Sequence, residues 1–134
     1  MKGEDNMFIK HFGGSEQVTN TEDLARILNK RYAEDVNEFW ITKDNQNNPC
    51  LVILVNKNLA NVTYFPNEES SGFQCIGNMH NLNQNEFSVF YTNTLEEEIE
   101  ISNSAIITFD KAMKIALDFL ENRDIFDSIE WFEN

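Results

Sequence analysis

The sequence has 134 residues, a length that suits one domain burying roughly two-thirds of its unfolded surface. Hydrophobic residues at 41% and aromatics at 12%, including eleven Phe, supply a core and exclude wholesale disorder. Acids outnumber bases 23 to 10, a formal net charge of −13, which opposes direct binding to nucleic-acid phosphates or to anionic membrane surfaces.

The longest apolar run, Leu51 to Val55, is far shorter than the ~20 residues that span a bilayer. The opening stretch MKGEDNMFIK carries no apolar export segment, so a cytoplasmic location is expected. Met7 is an alternative start, or residues 1–6 form a flexible lead before a single domain at residues 7–134. The two cysteines, Cys50 and Cys75, each lie in apolar strand-like runs. They are read as reduced core thiols in preference to a disulfide.

In chain order, Phe8, Lys10 and Phe12 alternate with Ile9 and His11 and predict a first strand ended by Gly13-Gly14. Asn20 or Thr21 offers a capping oxygen, and Glu22 and Asp23 fall in the first turn, where carboxylates oppose the positive end of the helix dipole. Leu24, Ile27, Leu28 and Tyr32 follow at helical spacing, so a helix is predicted over Thr21 to Tyr32.

A dense strand region comes next. EFWITK (Glu38 to Lys43), CLVILVN and LANVTYFP are separated by a polar turn and by Lys57-Asn58, the pattern of antiparallel hairpins. CLVILV is apolar at both parities and should be central, covered on both faces. Pro66 ends its strand or marks an edge. SGFQCIGN, EFSVFYTN and EIEIS read as further strands, with the Asn-rich NMHNLNQN as a loop.

Thr108 or Asp110 caps a final helix whose stripe is Ala112, Met113, Ala116, Leu117, Phe119 and Leu120. The terminal SIEWFE resumes alternation, Ile129 and Trp131 against Glu130 and Phe132, so Trp131 should anchor a last strand in the sheet. The fold class is α+β: one domain, with five to eight mostly antiparallel strands flanked by an N-terminal and a C-terminal helix.

Chemistry-bearing patterns are sparse. His11 and His80 belong to no His-x-x-x-His or Cys-x-x-Cys arrangement, and no Gly-x-Ser-x-Gly turn occurs. The stretch FGGS is too short to cradle a phosphate. A cysteine nucleophile would need Cys50 or Cys75 beside one of the two histidines, and the apolar runs around both thiols should raise their pKa, which argues against it. Sequence spacing selects no carboxylate pair among the 23 acids, and the LEEEIE run reads as a solvated turn, because successive strand residues point to opposite faces. No cofactor or metal is called for. The acidic excess is concentrated at the end: Glu96 to Asn134 holds eleven acids and three bases, a net of −8. Either this serves solubility alone or it meets a basic protein partner. Trp40, Tyr64, Phe65, Phe90 and Tyr91 are core rings or line a surface. Pairs such as FW, YF and FY put rings on both faces of a sheet. With two helices to cover them, part of one face is left for a partner.

The Pro-started apolar hairpin, the YFP that closes it, the Ala-containing helix in SNSAIITFDKAMKIALDFLENRDIFDSIEWFE and its Ile-x-Trp finish resemble the immunity proteins of bacterial polymorphic toxin systems. Within that series the likeness is to the family numbered one, and it covers Phe39 to Phe132. The resemblance implies a small cytoplasmic antidote, not an enzyme and without a cofactor. Such an antidote binds a cognate toxin domain, often a deaminase or nuclease with a basic substrate groove. Contact residues differ among such proteins, so candidates here follow exposure and charge: Glu68, Glu69, Glu96, Glu97 and Glu98, with Tyr91 and Trp40 as aromatic anchors. A generic protein-binding adaptor and a carboxylate-dependent enzyme are the alternatives.

Overall fold

The computed structural model describes residues 7–43, 46–127 and 129–134. The expected N-terminal lead, residues 1–6, lies outside the described residues.

Strand β1 (Met7–His11) turns back through Phe12-Gly13 onto β2 (Gly14–Val18), with His11 opposite Gly14. The predicted strand end at Gly13-Gly14 is therefore a hairpin turn, and β2 was not foreseen. GSEQV has one apolar residue, Val18, and so shows no alternation to read. A Cβ on Gly13 would fall 1.9 Å from the Tyr32 hydroxyl oxygen, and Gly14 has a φ of +131°. The turn needs glycine at Gly14 for its backbone, while at Gly13 a side chain would have to displace the Tyr32 ring.

Helix α1 (Thr21–Leu28) starts at Asn20, whose side chain accepts from the Asp23 amide at 2.8 Å. It stops four residues before the predicted end. Asn29 donates its side-chain amide to the Ala25 carbonyl, and Ala33 and Asp35 take positive φ of 50° and 76°. The backbone amides of Tyr32 and Val36 donate to each other's carbonyls instead of continuing the helix. The Tyr32 ring stacks beside His11, so its helical spacing was incidental.

Strands β3 (Val36–Lys43), β4 (Cys50–Asn56) and β5 (Leu59–Phe65) form the predicted meander, with Lys57-Asn58 as the two-residue turn and Lys57 at φ 57°. The second half of β5 pairs β6 (Phe73–Ile76), while Leu59 and Ala60 at its start pair a separate short strand that precedes the last helix. Strands β7 (Phe87–Tyr91) and β8 (Glu98–Ser102) form their own two-stranded sheet. The short strand is β9 (Ile107–Thr108), followed by α2 (Phe109–Leu120), whose cap is Thr108 accepting from the Lys111 amide. The last strand, β10 (Glu130–Glu133), pairs β6 and places the terminal Trp in the sheet as expected. The sheet order is β10-β6-β5-β4-β3-β1-β2, and every pairing among the described residues is antiparallel.

The two flanking helices form a one-sided layer. Leu24, Ile27 and Leu28 from α1 and Ala112, Ile115, Ala116, Phe119 and Leu120 from α2 join a single core with Ile9, Phe39, Ile41, Leu51, Ile53 and Val62 from one sheet face. Each fully buried Leu or Ile there contributes about 1.5–3 kcal/mol. The opposite face is covered in part, by the β7–β8 hairpin. Phe90 and Ile106 bury Leu54, with Leu59, Met79, Leu82, Ile99 and Ile101 packed around them. Strand β4 is buried along Cys50 to Val55, as its apolar run implied. The Asn-rich loop is ordered under the hairpin, where buried Asn103 donates to the Asn83 carbonyl.

Candidate functional site

The half of the second face that the hairpin leaves uncovered forms a groove of about 1350 Å³. Strand register places its floor. One row crosses the sheet through Ser15, Lys10, Trp40, Val52 and Thr63, one side chain from each of five neighbouring strands, and its first three members line the groove. The next row runs Gln17, Phe8, Thr42, Cys50 and Phe65. Because side chains alternate along a strand, both rows face away from the helices. Trp40 is 40% exposed, in the middle of the first row.

Three loops wall the groove: Asn47-Asn48 between β3 and β4, the β5–β6 loop with Asn67, Glu68 and Ser70, and the hairpin tip with Asn93, Thr94 and Leu95. Each of the latter two is held in place. Asn67 accepts the Glu69 amide at 3.0 Å, and Ser70 accepts the amide of Gly72, whose φ is 95°. The hairpin tip is latched by Glu38, a floor residue only 5% exposed. Its carboxylate accepts from the Thr92 hydroxyl at 2.6 Å and from the Asn93 amide at 2.8 Å. Asn56 adds a side-chain bond to the Val89 carbonyl at 2.9 Å. A buried carboxylate of which each oxygen accepts one hydrogen bond is a stable anchor, because neither oxygen is left without a partner.

The sequence-predicted contact residues divide into three places. Trp40 and Glu68 share the groove, one in the floor and one in the wall, with exposed Glu69 beside Glu68. Glu96 and Glu97 project from the hairpin tip next to Leu95; Glu97 accepts from the Asn93 side chain at 3.2 Å. Tyr91 and Glu98 pair on the hairpin's outer face, opposite the buried Phe90–Ile99 pair, and the phenol donates to the carboxylate at 3.3 Å. Desolvation first, then the Glu98 charge, push the Tyr91 phenol above its ordinary value. Glu96, Glu97, Glu98 and Tyr91 are absent from the groove lining.

Phe8, Phe65, Leu95 and Lys10 were not among the predicted contacts. The alternating Phe8-Lys10-Phe12 and the YFP motif carried the signal, since each puts rings on the face opposite the core. Lys10 has no ion-pair partner among the described residues, and Glu68, Glu96 and Glu97 make the rim negative.

Other titratable groups, including His11, Glu16 and Cys50 of the groove lining, are paired or buried. The Gly13 amide donates to His11 Nδ1, which leaves the proton on Nε2 to donate to Glu16 at 2.9 Å. Lys30 approaches the same carboxylate oxygen at 3.0 Å. The His11 hydrogen bond, followed by that of Lys30, holds the Glu16 carboxyl below its usual range. Burial pushes the thiols of Cys50 and Cys75 up to about 11, so neither is a nucleophile at neutral pH. Among the described residues the buried carboxylates, Glu38 and Asp118, lie on opposite sides of the sheet, and Asp118 pairs with Lys114 and Arg123. They form no catalytic dyad. Among the described residues no group of three His, Cys, Asp or Glu side chains is arranged to hold a metal ion. No described helix is long and apolar enough to cross a membrane.

No protein-family model matches the chain. Among curated proteins it is similar to a double-stranded DNA deaminase immunity protein of Burkholderia cenocepacia (strain H111), 24% identical over 130 residues. That alignment spans 95% of this chain and 99% of the relative, so the two are alike from end to end.

Proposed function

We propose that this protein is an immunity protein that binds and neutralises a deaminase toxin domain by occluding its active site or substrate groove, and that it catalyses nothing itself. The observation that carries the reading is the end-to-end similarity to a double-stranded DNA deaminase immunity protein, at 95% and 99% coverage. A similarity confined to one motif would leave the rest of the chain free for another role. This one leaves no segment of domain size unaccounted for. The narrower placing, in the family numbered one, rests on the hairpin, YFP and Ile-x-Trp segments quoted above.

Charge supports the same reading. An enzyme that works on DNA holds a polyanion, so its substrate surface is basic. A partner of net charge −13 is matched to that surface in sign. An antidote must leave almost no free toxin, which calls for a nanomolar or tighter complex, about −12 kcal/mol. Electrostatic steering raises association to ~10⁸ M⁻¹s⁻¹ at low salt, while a few buried rings supply most of the affinity. We assign the contact roles to Trp40 as anchor, with Glu68, Glu69, Glu96 and Glu97 around it, acting in the cytoplasm; the expected contacts Tyr91 and Glu98, on the hairpin's outer face, are left out of this assignment.

The test is co-expression with the C-terminal region of the protein encoded immediately upstream. The toxin region alone should arrest growth, and adding this protein should restore it, with a one-to-one complex recovered. Arrest that persists while this protein accumulates folded would refute the assignment.

A further inference from the structure

We propose that the uncovered half of the sheet's second face is the toxin-docking surface, and that its occupant is a basic loop from the toxin's DNA-contacting surface. Bound DNA and bound immunity protein then exclude each other. The proposal rests on the immunity reading above and narrows it to one face and one kind of partner segment.

Shape comes first. A volume of about 1350 Å³ exceeds the ~300–1,000 Å³ that takes a drug-sized ligand, and one side is open to solvent, so the groove fits a stretch of chain. Its floor offers what such a stretch needs. Trp40 presents an exposed ring in a concave setting, beside Phe8 and Phe65. Among the described residues exposed Leu95 joins it from the hairpin-tip wall, and the other large exposed apolar groups lie elsewhere: Phe87 and Val89 on the hairpin's outer face, Ile76 and Phe132 at the β6–β10 edge, and Phe126 against Trp131.

Two of the three walls are fixed before any partner arrives. The Glu38 latch sets the hairpin tip, the Asn67 and Ser70 turns set the β5–β6 loop, and strand register sets the floor. A surface that is already ordered loses less entropy on binding, which favours the tight affinity an antidote needs.

Charge then selects the occupant. Glu68 lines one wall and Glu69 adjoins it, while Glu96 and Glu97 follow Leu95 of the hairpin-tip wall, just outside the lining, and all four carboxylates are exposed. Apolar floor and acidic rim together match a loop with one aromatic or aliphatic anchor flanked by Lys and Arg. In a DNA-modifying enzyme such loops line the DNA channel, because that is where cations meet phosphates. Lys10, the exposed cation of the floor, is placed to donate to that loop's backbone carbonyls.

The experiment measures binding of the purified toxin domain from the upstream reading frame to wild type, Trp40→Ala, Glu68→Lys and Phe87→Ser. Circular dichroism and melting show that each variant is folded. Trp40→Ala should weaken the complex roughly 30-fold or more, as loss of an aromatic hot spot does. Glu68→Lys, fully exposed and independent of packing, should slow association about tenfold at low salt and less at high salt. Phe87→Ser should bind as wild type, and saturating duplex DNA should displace the protein from the toxin domain. Groove variants that bind normally while Phe87→Ser fails would move docking to the hairpin's outer face. That result overturns this proposal and leaves the immunity function standing, as would a complex indifferent to DNA. A wild-type protein that does not bind the toxin domain at all would sink both.

Discussion

Gly77 ends β6 so close to the chain that follows the hairpin that a Cβ would fall 1.7 Å from the Ile106 carbonyl oxygen. Its amide also donates to Ser104 at 2.8 Å, so neither strand can move away cheaply. Gly77→Ala should therefore cost about 2–3 kcal/mol, read from the denaturant midpoint at constant slope. Trp131 carries a different lesson. Its place in a last strand was readable from alternation, but β10 is the edge of the sheet, and the ring is only half-buried. It contacts Phe126 at 5.5 Å and donates its indole N–H to the Ile125 carbonyl. Trp131→Ala should cost about 2–3 kcal/mol, below the 3–5 of a fully buried ring. Glu16 makes a pH prediction. Its folded-state pKa is depressed, so its contribution is complete above the ordinary value of 4.5 and is lost as pH falls through the lowered one. The stability gap between wild type and Glu16→Gln should close as pH drops below 4.5. A gap that persists in acid would mean Glu16 acts through packing. Both thiols, pushed up to about 11, should resist alkylation in the folded protein at pH 8 and react once it is unfolded.

Elements with a strong pattern were readable in the sequence, and those without one were not. The β3–β4–β5 meander followed from apolar and aromatic runs around two turns, and both helix starts from their Asn and Thr caps. Strand β2 failed because its side chains are polar and its pairing comes from the Gly13-Gly14 turn. The end of α1 failed because Tyr32 fell on the helical period while the Asn29 cap and two positive-φ residues turned the backbone away. The β7–β8 hairpin was read correctly as strands, but its position over the sheet depends on Glu38, fifty-four residues from Thr92, and no local pattern records that bond. Glu38→Ala should remove about 2–3 kcal/mol. Amide exchange should accelerate at Asn93 and along β7–β8 more than in β3–β5. Uniform acceleration across the sheet would show that the latch stabilises the whole fold.

Seen whole, the molecule is a sheet with a complete cover on one face and a partial cover on the other. That asymmetry was foreseeable from rings at both strand parities and too few helices. Which half stays open was not, because it depends on where a two-stranded hairpin lands. The candidate contacts fared similarly. Trp40 and Glu68 meet in one groove, whereas the Tyr91–Glu98 pair lies on the hairpin's other side, a distinction set by register alone. Charge, groove shape and end-to-end similarity to a double-stranded DNA deaminase immunity protein are the three observations on which the proposed function rests. The decisive measurement is deamination of duplex DNA by the purified toxin domain, titrated with this protein at low and high salt. Activity should fall linearly to zero at one equivalent, with slower onset of inhibition as salt rises. Full activity in the presence of excess folded protein would show that it protects against something else.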